Sequence, residues 1–243
     1  MKIVTAEARP DLWDDAQSTF SDVWPEYNLH GDVSGRYFGA LVPRYACFQF
    51  LVWDEDLNRT VARGRTVPLA WDGTLDNLPA GIDAAGLRML EESRPPTTLC
   101  ALAAEVSPDV QQRGLSSFVV GAMADIARDA GFDRLIAPVR PNWKERYPLT
   151  PIDEYASWVR DDGLPFDPWM RVHARLGADV LATETRSLRI TGGVSEWERW
   201  TGMEFPADGS YVFPQCLAPL EVRDGVGYDW EPNVWMLHRV GPT

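Results

Sequence analysis

The clearest chemistry in this sequence lies in the stretch Glu105-Val106-Ser107-Pro108-Asp109-Val110-Gln111-Gln112-Arg113-Gly114-Leu115-Ser116. The apolar run Thr97 to Val106 leads into it and an amphipathic run over 115–130 leads out, so the pattern predicts a strand, a turn and a helix N-terminus. The first amides of a helix have no partner within it, and the dipole there is positive. Such a turn binds an anion, most naturally a phosphate. Gly114 lets the backbone approach a ligand closely, and Ser116 is too small to block it. Neither the Gly-x-Gly-x-x-Gly dinucleotide spacing nor a lysine-bearing phosphate loop is present. Glu105 ends an otherwise apolar strand, where a carboxylate is costly unless it is paired or useful. An arginine partner and a role in proton transfer are both open. Strand alternation sends Glu105 and Val106 to opposite faces.

The same stretch resembles the acyl-CoA pyrophosphate loop of the GNAT superfamily of N-acetyltransferases, Gln/Arg-x-x-Gly-x-Gly/Ala after a Val-x-Pro strand end. Gln111 takes the first position, Gly114 the glycine and Ser116 the last small residue. A second stretch, Pro168 to Ala178, has the outline of the family's Tyr-x-x-x-Gly-Phe motif. There His173 stands in place of the tyrosine, Leu176-Gly177 match, and Ala178 replaces the aromatic. Asn142 follows strand 134–139, where the family often has an asparagine that meets the cofactor. The resemblance is specific over 97–142, looser over 168–190, and only topological before 97.

It implies a GNAT-like α/β (α+β) fold, with a mixed, mostly antiparallel central sheet splayed at the CoA site, flanking helices and extra C-terminal strands. A single domain is expected, its core over about 1–190 and a C-terminal elaboration over about 191–243. The implied activity is direct attack of a small-molecule primary amine on the thioester of acetyl-CoA, or of another acyl-CoA, with no metal. The amides of Gln111, Gln112, Arg113, Gly114, Leu115 and Ser116 would then hold the pyrophosphate, with Arg113 adding charge. Val106 would lie near the thioester and Asn142 would meet the cofactor. His173 is the candidate acid for the leaving thiolate, since an imidazole of ordinary pKa (~6.5) is partly protonated near neutrality. A packing role in a short helix is its alternative, and Tyr147 is its rival. Glu105 is the candidate base, through a water. Dimers are frequent in the superfamily, so a homodimer is among the expectations. Transfer of a longer or carrier-linked acyl group, and a non-catalytic CoA-binding or interaction domain, stand as alternatives.

The elements that must position these residues read as follows. A strand over 2–6 precedes a helix over 10–24 and a loop over 26–45. Strands over 46–53 and 60–71 flank a polar turn and form a hairpin. A helix over 75–93 leads to the strand 97–106 and then to the helix 115–130, with Phe118, Ala122, Ile126 and Ala130 at fourfold spacing. Strand 134–139 contains Pro138, which predicts an edge or splayed position. After an irregular 141–167 come a helix over 168–176 and a strand over 179–190. Ser195 with Glu198 predicts a capping box for a helix over 196–201. The tail 209–238 reads as two or three strands with a turn at Asp224-Gly225.

Composition narrows the field further. The 36 acidic residues outnumber the 23 Lys and Arg, giving a net charge of -13 that disfavours nucleic-acid and anionic-membrane partners. No apolar run approaches the ~20 residues of a membrane span, and the N-terminus does not read as a signal peptide. Cys47, Cys100 and Cys216 are read as buried reduced thiols, which points to the cytoplasm. His30, His173 and His238 lie far apart along the chain, without metal-ligand spacing. Asp153, Glu154, Asp161, Asp162 and Asp167 form either a solvated loop or an acidic mouth for a cationic amine. Arg140 and Lys144 could receive an acidic substrate or a ribose phosphate of the cofactor. Trp143, Trp158, Trp169, Trp197, Trp200, Trp230 and Trp235 suggest either packing or an aromatic acceptor wall.

Overall fold

The computed structural model describes residues 1–110 and 114–241. The strands are β1 (Lys2–Thr5), β2 (Gln49–Asp54), β3 (Arg59–Leu69), β4 (Thr98–Val106), β5 (Arg134–Val139), β6 (Asp179–Gly193), β7 (Gly209–Tyr211), β8 (Leu220–Arg223) and β9 (Val226–Arg239). The helices are α1 (Pro10–Asp15), α2 (Ser34–Tyr45), α3 (Gly81–Glu91), α4 (Leu115–Asp129), α5 (Ile152–Ala156), α6 (Pro168–Arg175) and α7 (Val194–Thr201). None of these helices is long and apolar enough to cross a membrane.

The strands form one sheet in the order β1-β2-β3-β4-β5-β9, continued by β8 and β7, with β6 also on β9. Every pairing is antiparallel except that of β4 with β5. This is the mixed, mostly antiparallel sheet expected. Alternation along the strands divides the core into two layers. On one face Leu115, Val119 and Met123 of α4 pack on Leu99, Ala101, Leu135 and Ala137. On the other, Tyr37 and Leu41 of α2 and Ala85 and Met89 of α3 cover Val67, Cys100, Leu102, Ile136 and Trp235.

β4 and β5 pair only at Leu99↔Leu135 and Cys100↔Ile136. Beyond this β4 bulges: Thr66 pairs with Ala101 and Arg65 with Ala103, which leaves Leu102 as the extra residue. A bulge bends its strand and increases the local twist, which carries the end of β4 away from β5. Pro138, past the last shared pair, has no N–H with which to extend the ladder. It is therefore a splayed position and not an edge, because β5 is covered along its other side by β9.

Several expectations need revision. The helix over 10–24 is α1 followed by a 3₁₀ turn at Ala16–Phe20. The loop over 26–45 contains a 3₁₀ turn and α2, whose two glycines and Pro43 give little helical propensity. Burial of Tyr37 and Leu41 stabilises α2 instead. The N-terminus of α7 is capped at Gly193, whose N–H donates to Glu196 at 2.8 Å, and not at Ser195. Cys47 is exposed, while Cys100 and Cys216 are buried and all three thiols are free. The largest change concerns the tail. β9 lies between β5 and β6, so the C-terminal segment supplies a central strand. The elaboration is α7, β7 and β8, inserted between β6 and β9.

Gly64 of β3 tests this packing. A Cβ built there would lie 2.2 Å from the Phe50 ring, which is fully buried. Overpacking a core of this kind costs about 1–3 kcal/mol. Gly64→Ala is expected to lower the unfolding free energy by that amount, read as a lower urea midpoint at unchanged m-value, and a variant as stable as the parent would show that the Phe50 contact is not tight.

Candidate active site

The divergence of β4 from β5 opens a cleft of about 720 Å³ that reaches both faces of the sheet. On the α4 face it is lined by Val106, Ser116, Val120, Asn142, Trp169 and His173. Gly114 precedes α4 with φ +76°, a left-handed conformation that suits glycine, and open space surrounds the position of its missing Cβ. Leu115 is buried in the core, which leaves its backbone for any ligand. Gln111, Gln112 and Arg113 lie outside the described residues. The cleft thus brings together Glu105, Val106, Ser116, Asn142 and His173.

Tyr147 is not brought there. It packs at 5.0 Å from Trp158, 5.9 Å from Phe166 and 6.0 Å from Tyr155, in an aromatic cluster away from the cleft lining. Asp167 is also structural: it caps α6 by accepting from the amides of Trp169 and Met170, and it accepts from Trp143 N–H and Tyr155 Oη. Asp161 and Asp162 are exposed, and none of the five acids of the expected acidic mouth lines the cleft. Lys144 is buried and donates to the carbonyls of Tyr147 and Leu217, each at 2.7 Å. Burial lowers its pKa to about 8. Of the tryptophans read as an aromatic wall, only Trp169 reaches the cleft, joined there by Trp24.

His173 is buried on α6, and its neighbour is His238 of β9, far away in sequence but 2.9 Å distant from Nε2 to Nδ1. Burial and then the neighbouring imidazole push His173 down to about 3. Burial likewise lowers His238 to about 4, against a hydrogen bond to the Leu176 backbone. Burial therefore favours the neutral form of both rings at pH 7, which does not support the imidazolium acid expected for His173. With its proton directed to Leu176, His238 accepts from His173 Nδ1–H. His173 Nε2 is then a bare lone pair, buried and without a partner among the described residues.

On the opposite face, Glu105 accepts from Arg63 Nε at 2.6 Å, Arg63 Nη2 at 2.9 Å and Trp24 Nε1 at 3.1 Å. Burial alone would raise its pKa, but the Arg63 hydrogen bonds and the charges of Arg65 and Arg63 hold it below the usual carboxylate range. A carboxylate so bound is a weak proton acceptor. A second pair lies across the cleft, where Glu231 accepts from Arg140, from Tyr27 Oη at 2.6 Å and from Asn28 at 2.8 Å. Arg140 is thereby committed to the protein. Asn233 accepts from the Ser187 hydroxyl. Arg63, Arg65, Glu231 and Asn233 were not anticipated. Their signal was charged or amide residues two apart within strand-like runs, Arg63 with Arg65 and Asp229 with Glu231 and Asn233.

No family model matches the chain. It is 30% identical to arginine N-acetyltransferase avaD of Aspergillus versicolor over 97% of its own length and 93% of that protein. Among solved structures it resembles the loading GNATL domain of CurA from Lyngbya majuscula, with a TM-score of 0.65 and 17% identity over 98% of this chain and 97% of that one. It also resembles the GphF GNAT-like decarboxylase in complex with isobutyryl-CoA, with a TM-score of 0.61 and 18% identity over 99% and 100% of the two chains.

Asp229 follows the row of Glu231 and Asn233 on β9, but it is fully buried and neither oxygen has a hydrogen-bond partner among the described residues. Burial, then the Glu231 charge, raises its pKa well above the ordinary value. The unfolded carboxyl ionises near pH ~4 while the folded one stays protonated. Its contribution is therefore complete below that pH and is lost as pH rises toward the folded pKa. Asp229→Asn is expected to melt above the parent at pH 7, with the gap closing below pH 4. A melting curve at or below the parent's at pH 7 would show that the carboxyl is not held neutral.

Proposed function

Because this chain belongs to the GNAT superfamily of N-acetyltransferases, we propose that it transfers the acetyl group of acetyl-CoA to a primary amine of a small molecule. The observation that carries this reading is the single cleft of about 720 Å³, which joins the α4 face to the opposite face through the β4–β5 opening. A module that only bound CoA would need the α4 half alone. The volume suits a small acceptor, and the relative that acts on arginine agrees with one.

The residues fit an acyl-CoA on the observed geometry. The left-handed Gly114 leaves open space at the start of α4 for a pyrophosphate, and the small Ser116 continues that lining. The gap between the splayed strands, walled by Val106, Val120 and Asn142, suits the narrow pantetheine arm. When bound, the group supplies an activated thioester. Around the bulge at Leu102, backbone groups of β4 lie outside the β5 ladder and are available to orient a carbonyl oxygen.

His173 presents a neutral acceptor lone pair to the cleft in place of the acid expected of it. Its Nε2 is placed to accept a hydrogen bond from the attacking amine, and the proton that the ammonium must lose goes to water, because an imidazole held down to about 3 is too weak a base to take it. His238 fixes the orientation of that lone pair by accepting from Nδ1 at 2.9 Å. Glu105 instead fixes Arg63 and Trp24 in the wall of the cleft.

Release of free thiol from acetyl-CoA in the presence of L-arginine and other amines tests transfer, and absence of release with every amine would remove the reading. His173→Gln is expected to lower kcat by roughly tenfold, the worth of one positioning hydrogen bond. In the parent no acidic limb should centre near pH 6.5, because the acceptor form of His173 persists down to about 3. A limb at pH 6.5 that His173→Gln abolishes would contradict the buried neutral imidazole.

A further inference from the structure

The charges that line the cleft do not balance. Arg63, Arg65 and Arg140 face Glu105 and Glu231, and the remaining lining residue that titrates near neutrality, His173, is held neutral. Arg63 is taken by Glu105 through two hydrogen bonds, and Arg140 by Glu231. Arg65 is left over. Its Nε forms an ion pair with Glu105 Oε2 at 3.3 Å, but it shares that carboxylate with Arg63, and the buried Nε lacks an aligned hydrogen bond among the described residues. The side chain is 18% exposed and is fixed between the rings of Trp13 and Phe38, 5.9 and 5.3 Å from the guanidinium. Two buried guanidinium groups sharing one carboxylate leave a net positive charge, which is more costly there than on the surface. It stands in a protein of net charge -13, where a locally positive recess is not a by-product of composition.

Resting on the acetyltransferase reading above, we propose that Arg65 is the anchor for a carboxylate on the acceptor, so that the substrate class is an amino acid with a free carboxyl group. Arg65 lies on the face opposite α4, beside Phe38 and Leu102, where the acceptor half of the cleft is. That separates it from the phosphates of a donor at the start of α4. The excess of one positive charge matches a carboxylate, whereas a phosphate dianion would leave the recess negative. A guanidinium also presents paired donors at the spacing of carboxylate oxygens. Glu105 does not repel the incoming anion strongly, because Arg63 and Trp24 occupy its oxygens.

The test compares L-arginine with L-argininamide, which share the side chain and α-amine and differ in the carboxylate. The parent should prefer L-arginine in kcat/KM by tens-fold, the worth of a hydrogen-bonded charge. The preference should collapse toward unity in Arg65→Gln and persist in part in Arg65→Lys, which also guards against loss of folding. A parent that does not discriminate, or a preference that survives Arg65→Gln, would overturn the proposal. If neither compound is acetylated, calorimetry separates the two readings. L-arginine binding to the parent but not to Arg65→Gln would support the carboxylate subsite and remove arginine as an acceptor. Failure of L-arginine to bind the parent would overturn the subsite.

Discussion

The organisation of this molecule depends on the early parting of two parallel strands. β4 and β5 share two paired positions and then separate, with the Leu102 bulge on one side and Pro138 on the other. A sheet interior is normally closed by its own hydrogen bonds, so access through it requires a local defect of this kind. The defect is confined because both strands are secured on their far sides, β4 by β3 and β5 by β9. The rest of the structure can then serve the two mouths separately. The α4 face offers a helix start and an apolar channel, and the other face offers charge.

The charged face is held together by reciprocal commitment. Two buried arginine–glutamate pairs, each tied to an aromatic side chain, Trp24 or Tyr27, set walls of the cleft on the face opposite α4. Buried pairs are poor sources of net stability compared with apolar packing, but loss of one partner strands the other. Rigidity of the walls is what such pairs give here. The imidazole pair works on the same principle with neutral groups. Each ring fixes the protonation of the other, and the buried environment keeps both from charging.

Local signals were legible where local physics decides. Helix α4, the turn at Asp224-Gly225 and strand 134–139 appear where sequence pattern predicts them, but the buried stripe of α4 runs through Leu115, Val119, Met123 and Ala127, while Phe118 of the fourfold series is exposed. The positive φ of Gly114 accords with its reading as a turn glycine. α2 was not legible, since its stability comes from contacts of Tyr37 and Leu41 with distant residues and not from its own composition. Neither was the meeting of His173 with His238, which depends on the register of β9 against β5 and on where α6 ends. Glu105 was recognised as a residue under constraint, but its partners Arg63 and Trp24 come from β3 and the N-terminal region. The tryptophans misled because most fill separate packing clusters; Trp197, for example, is enclosed with Tyr27 and Phe213 and does not line the cleft.

The placement of β9 has a consequence for how the chain is made. β5 emerges from the ribosome long before its antiparallel partner, since Arg134 pairs with Arg239 and Val139 with Val234. During that interval one side of an apolar strand is an open template for any extended peptide, a recognised route to misassembly. Native pairing across so long a separation is also slow to nucleate. The nascent polypeptide thus passes through a period in which α4 can already fold while the sheet cannot close. Protection of β5 in that period is a demand on the cell's folding machinery set by strand order alone.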